Sequence, residues 1–226
     1  MLAATQANAH ELTLGLATIT FGSANWISAT AQDKGMAYTG DLQGTIDSES
    51  KIFINKNSAG ELDAVLIARG SLAGLQGGYM AYSPKCPANG VLFADGNEGF
   101  NTTFAQCLRV FSFVNPQGVF TTLAKDQQEI LKPYFASWQG LVRPMTAYYA
   151  NSTGTFVHML VLVSAKASGI EDPTQPYSRA AQSEQSVAWG KKLMQQVKGS
   201  VMSMSGRMTF PSFDTNSATP STTHVK

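Results

Sequence analysis

The two cysteines are the residues whose type and spacing point most clearly to a chemistry. Cys86 and Cys107 are the only thiols of the chain, and residues typical of turns flank both. A disulfide between them would stabilise the fold by roughly 3 kcal/mol through the loop it closes. The alternatives are two reduced core cysteines, a zinc site that needs further ligands, or a nucleophile that needs a neighbouring base. We predict the disulfide, and with it an oxidising compartment.

The three histidines are the next candidates, because histidine is the commonest general base. His10 and Glu11 begin like a metalloprotease helix, but Leu14 occupies the position of the second ligand, so no metal site is predicted. His224 lies in a polar tail. His158 lies in an apolar strand, where a hydrogen-bonded core residue is the commoner role. It remains the one candidate base for a noncontiguous hydrolase site.

Two short motifs resemble functional sequences without completing them. Ser48 to Lys51 fits Ser-x-x-Lys, in which the lysine takes the serine's proton, but it runs into a predicted strand and lacks the accompanying motifs. Asp95 begins an alternation of oxygen-bearing side chains like that of a calcium loop, but Phe100 and Gln106 occupy its sixth and twelfth positions. We interpret this segment as a turn. The sequence therefore predicts no catalytic, cofactor-binding or metal-binding residue.

The composition favours an exported protein. Charged residues make up 14% of the 226 residues, against about 25% in a typical soluble chain. The start of the chain resembles the small-residue region around a signal-peptidase site, although no signal peptide is present in it. We expect that a signal was removed, the alternative being a cytosolic protein with an Ala-rich start. Asn101-Thr-Thr and Asn151-Ser-Thr are glycosylation sequons, which matter only in a eukaryotic secretory pathway.

Charge and hydropathy exclude two classes of partner. The net charge is +1, so no overall field attracts the chain to nucleic acid or to an anionic membrane. No apolar run reaches the 18 residues that a membrane-spanning helix needs, and therefore no transmembrane segment is predicted.

Hydrophobic periodicity predicts a mainly antiparallel sheet. Two hairpins are indicated, one from residues 51–55 and 62–68 and one from 145–150 and 155–164. Further strands are predicted at 12–20, 79–82 and 106–114. We expect about five to seven strands in this sheet.

A long C-terminal helix is predicted over residues 178–204, capped by Ser178. One face collects the apolar residues Val187, Trp189, Gly190, Leu193, Met194, Val197, Val201 and Met204. We expect this face to cover the sheet, since its basic side is too weak for a membrane-surface helix. Residues 126–139 are also helical, and Pro133 divides them into two pieces or kinks them.

These elements define an α+β fold and a tentative role for it. We expect a single globular domain over 10–210 and a flexible Ser/Thr-rich tail over 211–226. The functional expectation is an exported, periplasmic or secreted, non-catalytic domain that binds an unknown protein or small-molecule partner at the cell envelope. Four tyrosines near predicted strand ends suit a binding surface, namely Tyr79, Tyr82, Tyr148 and Tyr149. The alternative is an extracytoplasmic hydrolase that uses His158.

Overall fold

The computed structural model describes residues 11–22, 25–29, 33–38, 45–75, 80–168 and 176–213. In chain order its strands are β1 (Glu11–Leu14), β2 (Ala17–Phe21), β3 (Trp26–Ser28), β4 (Asp33–Tyr38), β5 (Thr45–Lys56), β6 (Leu62–Ser71), β7 (Val91–Gly96), β8 (Phe104–Phe111), β9 (Val142–Asn151), β10 (Phe156–Ser164) and β11 (Arg207–Phe210). Its helices are α1 (Pro116–Phe120), α2 (Lys125–Phe135) and α3 (Pro176–Met202).

A large antiparallel sheet organises the molecule. Its order is β3-β5-β6-β10-β9-β8-β7, and β4 pairs with the half of β5 that β3 leaves free. The seven positions along this path agree with the predicted range, and the α+β class with a C-terminal helix on the sheet is confirmed.

The two predicted hairpins are confirmed, and both use the same turn device. In the β5–β6 turn, Asn57 Oδ1 accepts hydrogen bonds from the backbone N–H groups of Ala59 and Glu61, both at 3.0 Å. In the β9–β10 turn, Asn151 Oδ1 accepts from the N–H groups of two threonines at 3.1 and 3.2 Å. Gly60 and Gly154 follow with φ of +80° and +79°. These φ values strain any residue with a Cβ, so glycine fixes both turns and hence the register of the central strands.

One side of the large sheet, called here the helix face, is covered by α3 and by a second sheet of order β1-β2-β11. Its core is almost entirely apolar. The buried residues at its centre are Phe21, Phe53, Leu66, Leu108, Met159, Val161, Leu193 and Val197. Gly190 lets α3 approach the sheet closely, because a Cβ there would lie 3.1 Å from Val110 Cγ2.

The predicted ends of α3 are off by two residues. The helix begins at Pro176, a residue well suited to a first helical turn because it lacks an N–H, and it ends at Met202. Met204, which the helical pattern placed on the apolar face, lies beyond the helix and is fully exposed. Its wrong assignment arises because periodicity alone does not show where a helix stops.

The predicted strand over 12–20 is wrong, because the chain turns back on itself there. Gly15 has a φ of +57°, and a Cβ at this position would lie 2.2 Å from the carbonyl oxygen of Ser71. Leu16 lies in the turn, 47% exposed, and its N–H donates to the same carbonyl at 2.9 Å. The alternation of leucines therefore conceals a hairpin of β1 and β2.

The opposite side of the large sheet is called here the strip face. Within the part of the chain that the structure describes, separate apolar clusters cover its two ends. At one end α1 and α2 pack on it, α2 through Leu131 and Phe135, and Trp138 joins this cluster after the end of α2. Pro133 lies inside α2, which continues to Phe135 as one helix. None of the described helices combines the length and apolar character needed to span a membrane.

The other end of the strip face is covered by Met80 and Tyr82, which pack on Phe156 and Ala150. The strand predicted at 79–82 is wrong for its described part, where only Tyr82 forms an isolated bridge, to Thr102. Strand β7 was not predicted.

The described part of the predicted tail contacts α3. Trp189 Nε1 donates to the carbonyl oxygen of Ser212 at 2.9 Å, and the ring of Phe213 stacks on Trp189 with centroids 5.0 Å apart. Residues 214–226 lie outside the described residues.

Candidate functional site

A row of polar side chains crosses the centre of the strip face. Arg69 of β6 pairs with Ser50 of β5 on one side and with His158 of β10 on the other. His158 in turn pairs with Tyr148 of β9. Directly paired residues of antiparallel strands project to the same side of a sheet, so these four side chains form a continuous row. It spans four adjacent strands at the middle of the sheet.

The next row towards α1 and α2 adds two more polar residues. Thr146 of β9 pairs with Leu160 of β10 and with Arg109 of β8. We call the six polar residues of these two rows the polar strip; they are Ser50, Arg69, His158, Tyr148, Thr146 and Arg109. All six keep some solvent exposure, whereas most side chains around them are buried.

His158 lies near the middle of the polar strip. Its side chain is exposed to solvent, yet burial by the surrounding protein and the positive charge of Arg69 lower its pKa from the ordinary value of 6.5. The ring of Tyr148 stands edge-on to the imidazole, with centroids 5.9 Å apart and an interplanar angle of 84°.

Both arginines of the polar strip have guanidinium N–H groups that form no hydrogen bond within the described structure. Arg69 Nε donates to Ser48 Oγ at 3.0 Å, which orients the guanidinium and leaves its two terminal nitrogens unbonded within the described structure. The Arg109 guanidinium lies over the ring of Phe111 at 4.7 Å, and its buried Nε has no hydrogen-bond partner among the described residues. In this part of the chain neither arginine pairs with a carboxylate.

Arg143 on the helix face shows how a structural arginine differs. It is 3% exposed, lies over the ring of Phe113 at 4.0 Å and donates to Ser186 Oγ of α3. Burial lowers its pKa to about 10. Arg143 is thus used to join β9 to α3, whereas Arg69 and Arg109 face accessible surface.

The tyrosines predicted to form a binding surface have different roles: some are buried in the packed interior, and one belongs to the polar strip. Tyr82 is buried, and its hydroxyl donates to the carbonyl oxygen of Asn151 at 2.7 Å. Tyr149 is buried on the helix face beside α3, and Tyr79 lies outside the described residues. Only Tyr148 joins the strip; burial raises its pKa to about 12, so its hydroxyl is a neutral donor at ordinary pH.

The predicted disulfide is confirmed and borders the strip. Cys86 and Cys107 are joined with a Cα–Cα distance of 5.3 Å. Cys107 of β8 pairs directly with Tyr148 of β9. Gly96 makes room for the bridge, since a Cβ there would lie 2.6 Å from Cys86 Cβ. The disulfide therefore fastens the segment after Tyr82 beside the end of the polar row.

The partial motifs of the sequence do not assemble into sites. Ser48 and Lys51 project from opposite faces of β5, and Lys51 forms an ion pair with Glu49 at 2.8 Å on the helix face. Asn97, in the calcium-like segment, is used by the β7–β8 hairpin: its Oδ1 accepts from the N–H of Gln106 at 2.7 Å. Within the described residues no three acidic, histidine or cysteine side chains cluster as metal ligands. His10 and His224 lie outside those residues.

The two sequons differ in their surroundings. Asn101 is exposed in the turn between β7 and β8, whereas Asn151 uses its side chain to hold the β9–β10 turn.

The chemistry of the strip is that of hydrogen-bond donation. Its arginines, tyrosine and histidine supply several donors, and the one acidic residue of the two rows, Asp33, pairs with Ser50 on β4, at the end of the row. Sequence reasoning identified His158 and Tyr148 but missed Arg69 and Arg109. The signal that could have identified them is a single arginine within an otherwise largely apolar strand. Burying an unpaired charge is costly, so such a residue is expected to reach solvent or a partner. No protein-family model matches the chain, and comparison with curated proteins and with solved structures gives no match either.

Proposed function

We propose that this protein is a non-catalytic binding domain that works outside the cytoplasm and holds its ligand on the polar strip. The observation that carries the proposal is the set of unpaired polar groups on a solvent-accessible row at the centre of a well-packed sheet. Placing such groups on central strands costs stability that apolar residues would not cost. A ligand that bonds to them explains why they are present.

The hydrolase alternative has less support from the same geometry. A histidine base needs an acid to orient it and a nucleophile within hydrogen-bond reach. The direct strand neighbours of His158 are Arg69 and Tyr148, which are donors. Ser50 is two strands away, about 10 Å at the usual strand spacing. Burial, and after it the charge of Arg69, lower the pKa of His158 and favour the neutral imidazole, which suits a hydrogen-bonding contact as well as a base.

Location outside the cytoplasm is part of the same proposal. The disulfide supports it, since such bridges persist in oxidising compartments. Fractionation of the source cells, followed by thiol labelling before any reduction, tests it. We expect the protein in the extracytoplasmic fraction with both cysteines protected. Recovery in the cytosol with two free thiols would contradict it.

The binding proposal is tested by NMR with a fragment set of known charge, using benzoate, benzylamine, benzyl alcohol and phenyl phosphate as probes. Amide shifts should cluster at residues 146–148 and 158–160. Lys191 and Lys192 on the solvent side of α3 are the reference region, where shifts should stay small. Shifts confined to that reference region, or to any site away from the strip, would contradict the proposal.

Catalysis is tested separately with generic ester, peptide and glycoside substrates. We expect no turnover above that of the His158→Ala variant. Turnover that disappears in a folded His158→Ala protein would establish the hydrolase instead.

A further inference from the structure

We infer that the polar strip recognises an oxyanion, a carboxylate or a phosphate, attached to an apolar group. This inference rests on the proposed function, because it names the ligand class of the same strip. It is carried by the charge of the strip, by the way Arg69 is oriented and by the apolar residues beside it.

The balance of charge favours an anionic head group. The six residues of the polar strip include two guanidinium groups, and the one acidic residue of the same row is Asp33 of β4, which pairs with Ser50 and is two strands from Arg69. A cation placed between Arg69 and Tyr148 would meet repulsion from Arg69 and Arg109, which carry more charge than this one acid offsets. An anion meets attraction from both, strengthened where protein replaces part of the water around it.

Arg69 is positioned to act as a bidentate hydrogen-bond donor. Its Nε is occupied by Ser48 Oγ, a contact that limits rotation of the guanidinium. The two terminal nitrogens can then donate to two oxygens of one carboxylate or phosphate, the geometry in which arginine binds such groups most strongly. Lysine would supply the charge without this paired geometry.

His158 and Tyr148 provide two further hydrogen-bond donors for the oxyanion. His158 lies directly beside Arg69, and Tyr148 lies one strand further along the row. Neither side chain forms a hydrogen bond to the described structure, so each has an N–H or O–H free to donate. Their neutral forms donate without adding charge, so that Arg69 is the main source of attraction.

Arg109 contributes to oxyanion binding mainly through the electrostatic attraction of its positive charge. Its guanidinium lies over Phe111, two residues further along β8 and away from the row that contains Tyr148. We therefore assign it a smaller role than Arg69. This difference between two arginines of the same strip provides an internal control.

The apolar part of the ligand is indicated by the next row. Leu160 is partly exposed there, and it borders the cluster formed by Ile52, Ile67 and the helices α1 and α2. An oxyanion seated at Arg69 would place an attached alkyl or aryl group against Leu160. Burial of that group adds roughly 25 cal/mol for each Å² removed from water.

Calorimetric titration with five probes tests the inference: octanoate, octyl phosphate, octanol, octyltrimethylammonium and acetate. We expect binding of octanoate, of octyl phosphate or of both, and this pair of probes distinguishes a carboxylate from a phosphate ligand. Octanol and the ammonium compound should bind at least about tenfold more weakly, because a charge-assisted hydrogen bond contributes at least that factor. Acetate should also bind more weakly, because it lacks the apolar part.

Variants at the two arginines locate the oxyanion. Arg69→Ala should weaken octanoate or octyl phosphate binding at least about tenfold, and Arg69→Lys should restore only part of the loss. Arg109→Ala should change affinity about threefold or less, since its contribution is screened. Arg207→Ala, at an exposed site on β11, is the matched control and should change nothing. Circular dichroism checks that each variant is folded.

The outcomes separate the inference from the proposed function. Binding of octanol or octyltrimethylammonium at the strip as tight as that of octanoate would overturn the oxyanion inference and leave a binding strip. Unchanged affinity in a folded Arg69→Ala protein would overturn it as well. Failure of all five probes to bind or to shift the amide signals of the strip would overturn both.

Discussion

The two faces of the large sheet are built from the same strands but differ in how their side chains are used. On the helix face, α3 and the small sheet cover apolar rows, and the arginine present there, Arg143, is bonded to α3. On the strip face, the apolar clusters of the described residues cover the two ends of the sheet. Between them lie arginine, histidine and tyrosine side chains, and apart from Arg69 Nε their donors form no hydrogen bond in the described structure. One face is organised for stability, and the other retains polar groups that stability does not need.

This difference shows where in the molecule function can be sought. In a strand, one residue contributes to one face and the next to the other. A strand such as β10 can therefore combine a fully buried Met159 with an accessible His158. The packed face sets the register, and the register then places polar residues of four strands side by side.

The largest expected effect comes from removing a ring on the helix face. Phe53 is fully buried and lies 5.4 Å from the ring of Phe21. Phe53→Ala should lower the free energy of unfolding by about 3–5 kcal/mol, through lost burial and the cavity left behind. Thr146→Ala on the strip should change it by about 0.5 kcal/mol or less. Urea denaturation of both variants measures the contrast, and equal losses would remove the distinction between the faces.

The disulfide should have the next largest effect, and its structural consequence should be confined to the strip face. Replacing both Cys86 and Cys107 by alanine should cost roughly 3 kcal/mol, the value expected for a loop of about 20 residues. Amide exchange should accelerate in residues 80–90 before it does in α3. Reduced wild-type protein is the control for the alanine side chains. Uniform acceleration across α3 would mean that the bridge supports both faces equally.

A smaller effect should come from removing the residues near the C-terminus that contact α3. Ending the chain after Phe213 should leave the melting temperature unchanged, as the predicted tail has little to bury. Ending it after Pro211 removes the carbonyl that accepts from Trp189 Nε1 and the ring stacked on that indole. We expect a loss of about 1–2 kcal/mol from this second truncation. Phe213→Ala in the full chain should reproduce most of it, and a loss from the first truncation would show that later residues also dock.

Several parts of the fold were predictable because their causes are local. Asn and Gly in the two central turns, apolar runs beside them and the helical repeat of α3 each act over a few residues. The hairpin at Gly15 and the extent of β7 were not predicted, because the first depends on contact with Ser71 and the second on pairing with β8. The cysteine pair was predictable from number and context alone.

The candidate site was harder to predict than the fold, because it exists only through register. Arg69 and His158 are 89 positions apart in the sequence (158 − 69) and meet only when β6 pairs with β10. Each residue alone has an ordinary structural interpretation. The pairing order of the strands could not be predicted from the sequence pattern, and this order decides whether two isolated polar residues share a row.

The smallest expected effect is the titration of His158. Its pKa is lowered first by burial and then by the charge of Arg69, so the unfolded chain binds a proton more readily than the folded protein. Stability from this group is therefore fully present above 6.5 and is lost as the pH falls from 6.5 towards the lowered value. His158→Gln should remove this loss, which urea denaturation of both proteins across that range would reveal. NMR titration should also show the His158 pKa rising in Arg69→Gln, because that variant removes the positive charge. A wild-type pKa at or above 6.5 would contradict this prediction, because it would mean that bulk water solvates the imidazole.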